Sequence, residues 1–241
     1  MVKNKEINFL GIIGARGSSK RIQRKNIVDL NGNPLIYYAI KEAKKSKLLD
    51  AFLVSTNDNE IADIAKSFGA DVPFLRPNKY ATDFSRDVEY LKHALSWVEE
   101  NRGWKPKAVV MISPTCPTRT ADDIDGAIKL FKKTGADTVR TAIDVGFFLP
   151  YKMWEVNYED GNKLIRAMGG KFFEKYGQDV PSQLLPKYCY PIAYAYVIKA
   201  GLIKAGVTCG DDIRAYIVDR KMAIDIDSYD DIDIAKELLK K

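Results

Sequence analysis

One histidine and three cysteines in 241 residues close off several large classes of chemistry. His93 sits in the helical pattern "DVEYLKHALSWVEE", where it reads as a structural side chain, and a His-based catalytic triad is excluded. Cys116, Cys189 and Cys209 are odd in number and widely separated. They form no CxxC pair and no zinc-ligand spacing, which points to reduced thiols. No apolar run approaches the roughly 20 residues of a membrane span, and the start, "MVKNKEINFL", has no signal-peptide core. We therefore expect a cytoplasmic protein with no membrane partner. The first glycine-containing loop fits neither GxxxxGK[ST] nor GxGxxG. Internal repeats and low-complexity tracts are absent as well.

What is present suits a globular chain: 46% hydrophobic and 29% charged residues, with a net charge of +6. Part of that excess lies in "IKEAKKSK" and "KELLKK", which read as solvated helix faces. A nucleic-acid binder needs a basic stripe on a recognisable module. Neither is visible, so no nucleic-acid partner is expected, and an anionic small substrate accounts better for the local cluster described below.

Apolar strands alternate with amphipathic helices over the first half. "NFLGIIGA", "AFLVST", "KAVVMI" and "ADTVRTAI" read as strands. "LIYYAIKEAKKS", opened by the "NGNP" turn, reads as a helix, as do "DNEIADIAKSFGA", "DVEYLKHALSWVEEN" and "TADDIDGAIKLFKKTG". Thr120 is the expected N-cap of the last, with Asp123 at the capping-box position and Gly135 as the stop. This order predicts an α/β protein with a mainly parallel sheet flanked by helices. Its ligands belong beyond the carboxyl ends of the strands, so the loops at 14–26, 55–60 and 113–120 are expected to line one crevice. From about Gly146 to Tyr190 the pattern breaks into aromatic, Gly- and Pro-rich sequence with a hairpin-like "EDGN", which reads as an inserted arm. Strands return in "IAYAYVI", "IRAYIV" and "MAIDID", before a closing helix "DDIDIAKELLKK".

Four stretches carry chemistry. "GARGSSKRIQRKN" holds Arg16, Lys20, Arg21, Arg24 and Lys25 with no acid before Asp29. Its small residues Gly14, Ala15, Gly17, Ser18 and Ser19 would let the backbone approach a phosphate, with Arg16 and Lys25 supplying charge-assisted hydrogen bonds. A flexible basic surface loop is the other reading, and Arg21 and Arg24 are assigned to the surface on either. In "AIDIDSYDD", strand alternation would put Asp225 and Asp227 on one face. There they would suit Mg2+ bound together with substrate phosphates, or else form a solvated sheet edge. Arg76, in "VPFLRPNKYATD", and Arg119, in "ISPTCPTRT", are either structural ion-pair partners or groups facing the crevice.

Taken together these stretches resemble the acylneuraminate cytidylyltransferases, enzymes that make CMP-sialic acids and related CMP-nonulosonates. "IIGARGSSKRIQRKNIVDLNGNPLIYYAI" is similar to their opening xARxxSKxxxxKN and NGxPLI. "SPTCPTRTADDID" resembles their QPTSPLRTxxDID, and "AIDIDSYDDIDIAKELL" their closing metal motif. The resemblance covers most of the chain, weakest from 144 to 215. It implies a Rossmann-like nucleotidyltransferase fold over 1–241, with a dimerisation arm at 144–190 and hence a homodimer. It also implies CTP as co-substrate, Mg2+ as cofactor and an acidic sugar as acceptor. By that resemblance Ala15, Arg16, Gly17, Ser19, Lys25 and Asn26 would bind the nucleotide and Arg76 and Asp83 would form its wall. Asp225 and Asp227 would hold the metal, making Arg16, Lys25, Asp225 and Asp227 the catalytic set. Ser113, Arg119 and Gln183 would lie on the acceptor side.

The departures cluster there. Ser113 replaces the usual glutamine of QPTSP, the RQxxP motif becomes Ser182-Gln183-Leu184-Leu185-Pro186, and the usual NG is Ile192-Ala193. Thr208-Cys209 aligns where sialate enzymes can carry a Phe pair. An acceptor carboxylate still requires a cation, and Lys152, Arg166, Lys171 and Lys187 are candidates from the arm. The expected activity is transfer of CMP from CTP to a sialic-acid-like nonulosonate or related acid, with release of pyrophosphate. A CMP-KDO-type or other acidic-acceptor cytidylyltransferase and a non-catalytic nucleotide-binding homologue remain as the alternatives.

Overall fold

The apolar run Phe9–Gly14 is β1, and burial on both faces explains why it shows no polar alternation. The computed structural model describes residues 7–146, 148–159, 161–166 and 181–240, with backbone alone at 165 and 166. Two compact units emerge: Met1–Ala142 with Pro191–Lys241, and Ile143–Tyr190.

In the first unit β1 pairs in parallel with β4 (Ala51–Ser55) and with β5 (Ala108–Ile112), setting Ile12 level with Leu53 and Met111. The sheet is completed by β6 (Thr138–Asp144), β9 (Cys189–Lys199) and β10 (Ile213–Ile217). Its order is β10-β6-β9-β5-β1-β4. β10 is parallel to β6, whereas β9 is antiparallel to β5. The sheet is thus mainly parallel, as the alternation of strands and helices predicts.

Helices cover both faces. Ile36 and Ile40 of α1 (Leu35–Lys45), Ile61 of α2 (Asn59–Ser67) and Ile128 of α4 (Ala121–Thr134) pack with Ile13, Val54 and Val110. Leu91, Leu95 and Val98 of α3 (Asp87–Arg102) and Ile203 of α5 (Ala200–Lys204) cover Ile12, Leu53 and Val109 opposite. Each such fully buried aliphatic side chain contributes about 1.5–3 kcal/mol. A short hairpin, β2 (Asp29–Leu30) and β3 (Asn33–Pro34), turns through Asn31 and Gly32, both at positive φ. Thr120 and Asp123 cap α4 reciprocally, and Gly135 ends it at φ 67°.

The strand expected at "MAIDID" does not form. Residues 223–227 run as irregular chain into α6 (Tyr229–Leu238). Their backbone groups are taken by other partners. The Ile226 N–H donates to the Thr115 carbonyl, the Ile226 carbonyl accepts from Lys25, and the Asp227 N–H donates to Asp231. Alternation nonetheless survives, with Ile226 buried and Asp225 exposed.

In the second unit β7 (Trp154–Asn157) and β8 (Lys163–Arg166) form an antiparallel hairpin, turned through Gly161 and Asn162 at positive φ. Leu149 and Leu185 make its small core with Val145, Tyr151 and Tyr188. Residues 167–180, with Lys171, lie outside the described residues.

Candidate active site

A cleft of about 450 Å³ opens in the first unit, beyond the carboxyl ends of β1 and β5. The chain leaves β1 with Gly14 packed against Tyr90, where an added Cβ would come within 2.6 Å of the ring. Ala15 is buried, its N–H donating to the Ser55 carbonyl. Gly17 donates to Asn57 Oδ1 and sits so close to Asp58 that a Cβ would meet its Oδ2 at 2.7 Å. Ala15 and Gly17 therefore shape the loop from behind, while Arg16, Ser18, Ser19, Lys20, Arg21, Lys25 and Asn26 line the cleft. The loop after β4, expected in the crevice, instead buttresses this one. Asp58 pairs with Arg24, which also reaches Glu60 at 2.7 Å.

The cations of the basic loop are held in two sets. Arg16 Nη1 donates to Asp83 Oδ1 at 3.0 Å and to the Thr82 carbonyl, and Lys20 Nζ lies 2.7 Å from Asp83 Oδ2. Lys20 first, with Arg16, holds the Asp83 carboxyl below the usual carboxylate range. Lys25 Nζ lies 3.0 Å from Asp227 Oδ1, and Arg21 Nη1 lies 3.0 Å from Asp227 Oδ2. Arg21, assigned to the surface from sequence, thus reaches the cleft; Arg24 does not. Asn26 is buried and donates from Nδ2 to the Arg16 carbonyl, fixing the turn that presents Arg16.

Arg76 forms a rigid wall. Its Nε donates to Ser55 Oγ, its Nη2 to the Ser55 carbonyl, and its guanidinium lies 4.3 Å over the Tyr90 ring. Burial lowers its pKa and also raises that of Tyr90. Asp87 and Arg86, at the start of α3, line the same cleft and escaped notice in the sequence, where they look like an ordinary helix start.

The floor comes from Ser113, Pro114, Thr115 and Ala193. Ser113 Oγ lies 2.7 Å from Thr115 Oγ1. Arg119 does not face the cleft. It is buried beneath it, Nη1 donating to both the Ser113 and the Tyr194 carbonyls and so tying two adjoining segments together. Burial lowers the Arg119 pKa and pushes Tyr194 up to about 12. Asp225 does not line the cleft either. After burial, it is the largest influence raising the pKa of the Cys116 thiol. Among the carboxylates expected to hold a metal, Asp227 is the one presented to the cleft, with half of its side chain exposed. No cluster of three or more metal-ligating side chains occurs among the described residues. Gln183 belongs to the second unit, in an exposed turn, where Lys152 Nζ donates to Ser182 Oγ.

The arrangement concentrates positive charge. Four cations converge from one loop, at the position where an open α/β sheet places its ligand. Among the described residues no helix is long and apolar enough to cross a membrane.

Residues 10–147 match the family model described as Cytidylyltransferase. Three relatives match over nearly their whole length. The chain is 31% identical, over 97% of its own length and 95% of the relative's, to post-translational flagellin modification protein B of Campylobacter coli. It is 29% identical, over 96% and 94%, to CMP-N,N'-diacetyllegionaminic acid synthase of Campylobacter jejuni. Pseudaminic acid cytidylyltransferase of Campylobacter jejuni is 26% identical over 96% of both chains. In fold, the chain is similar to CMP:2-keto-3-deoxy-manno-octonic acid synthetase complexed with CTP, with a TM-score of 0.70 over 97% and 98% of the two chains at 14% identity.

Proposed function

Because the chain belongs to the cytidylyltransferase family, we propose that it transfers CMP from CTP to an acidic nonulosonate of the pseudaminate or legionaminate kind. The observation that carries this reading is the convergence of Arg16, Lys20, Arg21 and Lys25 on one cleft, a concentration of charge that matches a triphosphate. In the proposed reaction the acceptor hydroxyl oxygen bonds to the α-phosphorus. The bond from that phosphorus to the bridging oxygen breaks, pyrophosphate leaves and the hydroxyl proton passes to solvent. Arg16 and Lys25 hold phosphate oxygens and stabilise the charge that develops on the leaving group.

Mg2+ fits this cleft as an ion bound through one carboxylate and the substrate phosphates, which is its common habit. Asp227, whose two oxygens now face Lys25 and Arg21, is the residue that would hold it. When bound, the ion would neutralise phosphate charge. We place the reaction in the cytoplasm, where CTP is made. The second unit exposes Phe148, Leu164 and Leu184, and we assign that apolar area to a second copy of the chain, giving a homodimer.

Pyrophosphate release tests the reading, with CTP, Mg2+ and a panel of N-acetylneuraminate, pseudaminate, N,N'-diacetyllegionaminate and KDO. Release with pseudaminate or diacetyllegionaminate, abolished by EDTA, is expected. CTP binding without release from any acid would support a non-catalytic nucleotide-binding role and sink the proposal.

A further inference from the structure

Arg16, Lys20, Arg21, Lys25, Arg76 and Arg86 are the cations lining the cleft. The first four are paired with Asp83 or Asp227, and Arg76 is bonded to Ser55. Among the described residues, the Arg86 guanidinium alone of these has no acidic partner and no hydrogen bond. The acids of the cleft divide in the same way. Asp83 and Asp227 each hold two cations, whereas no donor among the described residues reaches the Asp87 carboxylate. Burial raises the Asp87 pKa, against the opposing charges of Arg76 and Arg140.

These two side chains are also where the cleft adjoins a second cavity. That cavity, of about 380 Å³, is lined by Arg86, Asp87, Val88 and residues 206–209. Its walls mix the small apolar surfaces of Val88, Gly206 and Val207 with the Thr208 and Cys209 side chains. The triphosphate is already matched by the basic loop, so a further cation beside it has a different anion to meet. An ulosonate carries its carboxylate on the same carbon as the attacking hydroxyl. A cation that holds the carboxylate therefore aims the hydroxyl.

We infer that Arg86 and Asp87 form the acceptor subsite: Arg86 takes the acceptor carboxylate, Asp87 accepts from a hydroxyl or amide N–H of the same sugar, and its substituents extend into the second cavity. This rests on the proposed function and supplies, from the first unit, the cation that the altered RQxxP motif lacks.

Arg86→Gln tests it cleanly. The Arg86 backbone N–H, which donates to Glu89 Oε2 at 3.1 Å, survives the change and keeps the start of α3. Binding of pseudaminate and of N,N'-diacetyllegionaminate is measured by calorimetry, alongside the KM values for acceptor and for CTP. Loss of a hydrogen bond to a charged group predicts an acceptor affinity and KM weaker by roughly tenfold or more, with the KM for CTP unchanged. Arg86→Lys restores part of the loss, and Asp87→Asn weakens acceptor binding without touching CTP. An unchanged acceptor KM, or a rise confined to CTP, overturns the subsite while leaving the activity standing. Binding that depends on Arg86 without pyrophosphate release upholds the subsite and removes the activity. Failure of both acids to bind the wild type overturns the two together.

Discussion

Arg16 joins two walls of the cleft, donating from the basic loop to Asp83 and to the Thr82 carbonyl. With a phosphate present it would supply a charge-assisted hydrogen bond where negative charge develops. Arg16→Ala is therefore expected to lower kcat/KM by about 10²–10³, the scale for one such donor. Its side chain adds nothing to the apolar core, so the melting temperature should hardly move; steady-state kinetics and a thermal melt check the pair. Activity within threefold of wild type would refute the phosphate role. Much of this loop was legible from residue types alone, since five cations and several small residues after a buried strand point to an anion. Which side of the loop each residue faces was not. Ala15 and Gly17 turn inward because small residues suit close packing as well as they suit phosphate approach. Arg119 was placed at the crevice for its position after a strand, yet it lies beneath the floor, bonding carbonyls from two segments distant in sequence. Spacing cannot distinguish a guanidinium that meets substrate from one that holds the wall.

The start of α2 shows how an element supports the site from outside it. Asp58 accepts from the Ile61 N–H at 3.0 Å as N-cap and pairs with Arg24, tying the helix to the back of the basic loop. Burial alone would raise the Asp58 pKa, but the Ile61 N–H and Arg24 outweigh it and hold the carboxyl below its usual value. A folded-state pKa below that of the unfolded chain contributes stability that is whole above the unfolded value, about 4, and lost as pH falls through the folded value. Asp58→Ala should cost about 1 kcal/mol at pH 7, the ordinary loss of a cap. Asp58→Asn should keep most of the cap while flattening the acid limb of the stability–pH curve. Urea melts between pH 3 and 7 read both, and an acid limb as steep in the Asn variant as in wild type would count against the ion pair. Helices such as α4 were readable to their caps because Thr120, Asp123 and Gly135 act locally. The segment at 223–227 was not, because its strand-like alternation is equally served by irregular chain whose backbone bonds run to Thr115, Lys25 and Asp231.

Across the whole molecule, the order of strands and helices predicted a mainly parallel sheet, whereas the antiparallel direction of β9 was beyond reach. Pairing direction there depends on the path through Ile143–Tyr190, whose sequence carries no helix–strand rhythm to indicate it. Among its described residues that second unit buries little more than Leu149 and Leu185 with their neighbours, and leaves Leu184 61% exposed. If a second copy covers this area, the dimer has two-fold symmetry and each substitution acts twice. Burying one leucine is worth about 1.5–3 kcal/mol, so Leu184→Asp should weaken association by roughly a hundredfold or more. The fold should be unaffected, because the side chain it replaces is mostly exposed to solvent. Sedimentation equilibrium at micromolar concentration should find wild type as a dimer and the variant as a monomer with an unchanged circular dichroism spectrum. A wild type that stays monomeric throughout that range would show that the exposed apolar side chains serve something other than self-association.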